Sequence, residues 1–137
     1  MHILLVEDSN TLATLFRVQL RQLGNHTLIT AFDKATALAA FTKEVFGLVF
    51  IDMGLEGYHD RGLDILAQMK VLVPQQRIII LSSNDSRDLV RLSQKEGAEF
   101  YMVKPFTMEG LSLVLNGDKE AIRNYMPEVG EGRIITL

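Results

Sequence analysis

Four short apolar runs in this chain each end abruptly in residues that metal and phosphoryl chemistry uses. Glu7-Asp8 follows Ile3-Leu4-Leu5-Val6, and Asp52 follows Leu48-Val49-Phe50-Ile51. Ser82-Ser83 follows Ile78-Ile79-Ile80-Leu81, and Lys104-Pro105 follows Tyr101-Met102-Val103. A single strand-end aspartate more often just begins a polar loop, so the signal lies in the ordered set. Three carboxylates held together repel one another, and a divalent cation relieves that repulsion. With no cysteine and no clustered histidine, the ligands are all oxygen, which favours a hard ion that keeps some of its waters, hence Mg²⁺. Lys104 adds a cation able to reach an anion on Asp52, and Ser82 adds a hydroxyl donor. Such a site suits phosphoryl transfer, in which positioning and charge neutralisation do most of the work. Asp52 is then the natural nucleophile, giving an aspartyl phosphate.

The elements that must position these groups follow from the same runs. Four or five apolar residues rich in β-branched and aromatic types are too short for a buried helix and read as strands covered on both faces. Strands are predicted over 2–6, 26–31, 47–51, 77–81 and 99–103. Between them, Ser9 caps a helix carrying Leu12, Leu15, Phe16, Val18, Leu20 and Leu23, stopped at Gly24, and Asp33 caps an alanine-rich helix to about Lys43. Residues 52–62 hold three glycines and no apolar rhythm, which predicts a long loop, with a helix from about Leu63 that ends before Pro74. A fourth helix spans about 86–96 and stops at Gly97, and a fifth spans about 107–116. Strands alternating with helices imply right-handed crossovers and helices on both faces of a parallel sheet. The expected fold is α/β: a flavodoxin-like, doubly wound, five-stranded parallel sheet of order 2-1-3-4-5. Its crevice lies between the first and third strands, which end in Glu7-Asp8 and Asp52.

Bulk properties narrow the function classes. The 137 residues, 47% hydrophobic, suffice for one core. Residues 1–116 form the expected domain and 117–137 an extension or linker, in which Asp118 starts a short helix, 127–132 resembles linker and 133–137 reads as either another strand or a chain end. A net charge of −3 with scattered basic residues gives no nucleic-acid face and no membrane-surface patch in this segment. The absence of cysteine excludes disulfides and thiolate chemistry. No apolar stretch approaches the roughly 20 residues of a membrane span, so a cytoplasmic protein is the default expectation.

The ordered set resembles the receiver domain of two-component response regulators, over about residues 1–116. The family's acidic pair matches Glu7-Asp8, its phospho-acceptor Asp52, its switch hydroxyl Ser82, its lysine Lys104 followed by Pro105, and its aromatic switch position Tyr101. The resemblance implies Mg²⁺ held by Asp8, Asp52 and the backbone carbonyl of Gly54, with Glu7 acting mainly through coordinated water. It implies a histidine kinase or histidine phosphotransfer protein as donor. The output is a partner or attached domain reached through the surface of the fourth helix, fifth strand and fifth helix, with homodimerisation through those faces left open. It also implies a switch domain rather than an enzyme with turnover of its own. Asn84 falls where the family tunes hydrolysis. One stretch departs from the pattern: Glu56 stands where proline is common and Gly62 matches a glycine expected about two residues earlier, bringing Glu56, Asp60 and Arg61 near the site.

Three rivals remain. A degenerate receiver would keep the fold as a phosphorylation-independent interaction module, against which the intact set argues. An aspartyl-phosphate phosphohydrolase would carry a second carboxylate two residues after its nucleophile, where this chain has Gly54. A flavodoxin-type electron carrier would not set Glu7-Asp8 against a flavin phosphate.

Overall fold

The structure, a computed structural model, describes residues 1–54, 59–127 and 132–137, with backbone only at 59–61. The expectations for Glu56, Asp60 and Arg61, and for the linker across 128–131, lie outside the described residues and side chains. The chain runs β1 (His2–Val6), α1 (Asn10–Arg21), β2 (Thr27–Ala31), α2 (Lys34–Lys43), β3 (Leu48–Asp52), α3 (His59–Leu72), β4 (Ile78–Ser82), α4 (Arg87–Lys95), β5 (Phe100–Val103), α5 (Met108–Asn116), α6 (Lys119–Arg123) and β6 (Ile134–Thr136).

Side-chain alternation along each strand divides the core in two. Leu4, Val6, Val49, Ile51, Ile78, Ile80 and Tyr101 point to one face, where Ala37 and Phe41 of α2 and Ile65, Leu66 and Met69 of α3 cover them. Ile3, Leu5, Leu48, Phe50, Ile79, Leu81, Phe100 and Met102 point to the other, against Phe16 and Leu20 of α1 and Leu111, Val114 and Leu115 of α5. Every residue of β3 and β4 is buried, which explains why those strands read as unbroken apolar runs rather than alternating ones.

Helix starts carry local instructions. Ser9 accepts from Leu12 N–H, and Asp33 exchanges bonds with Thr36 in a capping box. Thr107 and Asp118 cap α5 and α6 in the same way. Gly117 ends α5 at φ 67°, a left-handed conformation that glycine adopts without penalty.

The structure corrects the sequence expectations in three places. The sheet has six strands in the order β2-β1-β3-β4-β5-β6, the first five parallel and β6 antiparallel to β5. Three residues are too few for a periodic signal, yet they pair backbone groups that an edge strand would leave open. Helix α3 begins at His59 rather than near Leu63. His59-Asp60-Arg61-Gly62 offers no apolar residue to mark a helix, and Gly62 reads as a breaker. Its role is spatial, because a Cβ there would stand 3.1 Å from Met53 Sδ and 3.3 Å from the Asp52 carbonyl. In α1, only Phe16 and Leu20 are buried, whereas Leu12, Leu15 and Val18 are exposed.

Candidate functional site

Asp52 is the last residue of β3 and still pairs with Leu81 of β4, so the sheet itself fixes its backbone. Its side chain is buried at the carboxyl ends of the strands, with the residue 6% exposed. Gly54 N–H donates to Oδ1 at 2.9 Å, and Lys104 Nζ donates to Oδ2 at 2.9 Å. The same ammonium stands 3.8 Å from Glu7 Oε1, and Glu7 Oε2 accepts from Ser9 N–H at 3.3 Å. Lys104 is aimed there because its own N–H bonds the Ser82 carbonyl at 2.8 Å, tying the end of β5 to the end of β4.

The Glu7 and Asp52 carboxyls are close enough to shift each other's proton affinity. Burial, then the bond to Asp52 and its charge, push the Glu7 carboxyl up to about 8. Burial pushes Asp52 upward too, but bonds from Glu7, Lys104 and Gly54 outweigh it and hold Asp52 below the usual carboxylate range. The nucleophile candidate is therefore the ionised member, and Glu7 the protonated one. A carboxyl that keeps its proton beside a carboxylate marks a place short of positive charge, which a divalent cation would supply. The donor set thus fits a hard ion. Asp8 is exposed on the neighbouring turn, and among the described residues no three acidic, histidine or cysteine groups already form a metal-holding cluster.

Ser82 closes β4 and is 1% exposed. Its hydroxyl donates to the Asn84 carbonyl and accepts from Asn84 N–H, both at 3.0 Å, folding the chain into a tight turn. Tyr101 lies fully buried beneath that turn and donates its hydroxyl to the same carbonyl. Burial raises the Tyr101 phenol against a lowering contact with Ser82. Asn84 therefore contributes its backbone, joining Ser82 to Tyr101. Next along the chain, Asp85 pairs with Arg133 at 3.0 Å. Neither residue of that pair was singled out in the sequence, where a separation of 48 positions leaves no signal. A cleft of about 420 Å³ opens beside the site, lined by Leu12, Leu15 and Phe16 of α1 and by Pro105 and Phe106, with Glu7 and Lys104 among its walls.

The carboxyl edge of a doubly wound sheet thus gathers the acids Glu7 and Asp52, the ammonium of Lys104 and the buried hydroxyl of Ser82. The family model described as the response regulator receiver domain matches residues 3–116, and the chain belongs to that family of two-component signalling domains. The chain is 32% identical over 139 residues to the alginate biosynthesis transcriptional regulatory protein AlgB of Pseudomonas aeruginosa, covering 95% of this chain but 30% of that protein. It is 30% identical over 128 residues to the sporulation initiation phosphotransferase F of Bacillus subtilis, covering 91% of this chain and 93% of that one. Among solved structures, NtrX from Brucella abortus superposes with a TM-score of 0.77 at 31% identity, covering 88% of this chain and 27% of that chain. A response regulator from Burkholderia pseudomallei with a phosphorylated aspartic acid, a calcium ion and citrate gives a TM-score of 0.78 at 26% identity, covering 90% of this chain and 71% of that one. Among the described residues, no helix is long and apolar enough to cross a membrane.

Proposed function

We propose that this domain accepts a phosphoryl group on Asp52 from the phosphohistidine of a histidine kinase or histidine phosphotransfer protein, and thereby switches a surface read by an output domain or partner. The observation that carries the reading is the setting of Asp52: buried, and pinned through one oxygen by Lys104 and through the other by Gly54 N–H, bonds that hold it below the usual carboxylate range. A desolvated, oriented carboxylate is a competent nucleophile. A carboxylate oxygen attacks phosphorus, the P–N bond breaks, and the departing imidazole keeps the bonding pair and takes up a proton. Mg²⁺, held by Asp8, Asp52 and the Gly54 carbonyl with Glu7 beside it, would supply positive charge to the phosphoryl oxygens when bound. Lys104 supplies a second positive group from the protein side.

After transfer, the Ser82 hydroxyl leaves Asn84 and donates to a phosphoryl oxygen. The turn it held then loosens, and Tyr101 loses the geometry of its bond to the Asn84 carbonyl. That shifts a pre-existing equilibrium at α4, β5 and α5. Attack of water on phosphorus restores the carboxylate. Gly54 brings no side-chain acid two residues after Asp52, which weighs against a phosphohydrolase that turns over its own substrate.

Incubation with Mg²⁺ and acetyl phosphate followed by intact mass tests the reading. One base-labile phosphoryl group is expected, absent in Asp52→Asn and absent when the metal is chelated. An unmodified wild-type chain would leave the fold without this chemistry.

A further inference from the structure

Residues 132–137 lie along β5 as an antiparallel strap. Ile134, Ile135 and Thr136 sit opposite Met102, Tyr101 and Phe100. Val103 N–H donates to the Arg133 carbonyl at 2.9 Å, Leu137 N–H to the Glu99 carbonyl at 3.1 Å, and Gly132 N–H to the Pro105 carbonyl at 2.6 Å. Ile135 and Leu137 pack on the core that contains Tyr101, together with Leu89 and Val90 of α4, while Ile134 packs on the opposite core. The strap thus covers the middle of the surface formed by α4, β5 and α5.

Two features make it releasable. Its strand has three residues, and none of them is fully buried. Its ion pair, Arg133 to Asp85, has both side chains more than half exposed, at 57% and 54%, a setting in which such pairs contribute little. Short, partly exposed elements open at low free energy. A third feature ties the strap to the acceptor. Asp85 directly follows Asn84, whose backbone is held by Ser82 and whose carbonyl also receives the Tyr101 hydroxyl. Tyr101 is in turn the register partner of Ile135. The strap is therefore linked to the Ser82 turn by two routes, the Arg133–Asp85 pair one residue past Asn84 and the pairing of Ile135 with Tyr101, whose hydroxyl bonds the Asn84 carbonyl.

We propose that residues 132–137 are a strap docked on β5 in the resting state and released when Ser82 leaves Asn84, leaving the backbone edge of Phe100–Val103 unpaired. The proposal rests on the Asp52 acceptor reading for its trigger, whereas docking itself does not. Linkage makes the effect reciprocal: a strap that docks poorly favours the phosphorylated form by the same factor by which phosphorylation favours release.

Amide hydrogen exchange on the full chain tests this, with intact mass run on the same samples. On labelling with acetyl phosphate and Mg²⁺, the Val103 and Leu137 amides are expected to exchange severalfold faster, and not to do so in Asp52→Asn. Gly132→Val brings a Cβ to 1.5 Å from the Val103 carbonyl oxygen. It is expected to speed the same amides without any phosphoryl donor and to raise the fraction labelled at a fixed acetyl phosphate concentration. Arg133→Ala, which leaves the backbone path intact, is expected to do both more weakly. Labelled wild-type protein with unchanged or greater protection at these amides overturns strap release while leaving the acceptor reading standing. Wild-type protein that never labels overturns the acceptor reading and the trigger together. Unchanged exchange in both strap variants overturns the docking.

Discussion

At the scale of single residues, the site is a problem in placing charge. Lys104 contributes one ammonium to two acidic groups, at 2.9 Å from Asp52 and 3.8 Å from Glu7. In the proposed transfer it would face the oxygens on which negative charge develops, and it is partly exposed. Lys104→Ala is therefore expected to slow labelling by acetyl phosphate about 100-fold, the lower end of what a single preorganised donor supplies, as read by a mass time course. Glu7 brings a pH dependence of its own. Its carboxyl is raised from 4.5 to about 8 in the folded chain, so the folded state binds the proton more tightly than the unfolded state does. Stability from this group is full below pH 4.5 and is lost as pH rises through about 8. Asp52, held low, contributes in the opposite sense, and its share is lost only in acid, as pH falls below 3.8 and through its depressed value. The urea midpoint of metal-free protein is accordingly expected to fall between pH 5 and pH 9. Glu7→Gln flattens that slope, and so should Mg²⁺, by replacing the proton as the counter-charge.

At the scale of elements, the acceptor depends on contacts far from it. Arg77, just ahead of β4, bonds both oxygens of Glu99 at 2.8 to 3.1 Å and donates to the Val114 carbonyl at 2.8 Å and the Leu115 carbonyl at 3.4 Å. One guanidinium thus joins β4, β5 and the end of α5, whose unpaired carbonyls attract a cation. Arg77→Ala is expected to lower unfolding free energy by about 2 kcal/mol, given partial exposure of the pair, as read by urea titration. The labelling rate of Asp52 should be unchanged, because Arg77 lies at the opposite end of β4. Gly62 works at the same scale from the other side. Its lack of a side chain lets the first turn of α3 approach the backbone of Asp52 and Met53.

At the scale of the whole molecule, one sheet separates two cores and presents its carboxyl edge to solvent. The apolar cleft beside that edge has a wall in the exposed Leu12 and Leu15, at 45% and 52%. In the proposed transfer, a protein donor of phosphohistidine would meet this rim on its way to Asp52, whereas a small donor would not need it. Leu15→Asp is expected to slow transfer from a phosphorylated histidine phosphotransfer domain by at least about tenfold, the loss of one well-packed apolar contact. Labelling by acetyl phosphate should stay the same. Equal rates from both donors with the variant would remove α1 from the docking surface.

The sequence alone determined the parallel core and the identity of the groups at its edge. Buried parallel strands need apolar side chains on both faces, so β1, β3 and β4 announce themselves as continuous runs, and Glu7, Asp52, Ser82 and Lys104 stand out as the polar residues that end them. Caps such as Ser9, Asp33 and Asp118 were legible for the same reason, since a helix start is satisfied by a side chain within three residues of it. Tertiary structure alone decided what depends on distance in space. Which of two acids keeps the proton follows from burial and from a lysine 52 positions away from Asp52. Leu12 and Leu15 carry a core-like spacing yet face outward, because the stripe that α1 can bury against β1 and β3 is narrower than its apolar face. Tyr101 is fully buried with a sixth strand continuing the sheet past β5, a strand that the sequence left open as an alternative to a chain end. Local pattern encodes what a segment buries, and only the assembled fold determines which segment does the covering.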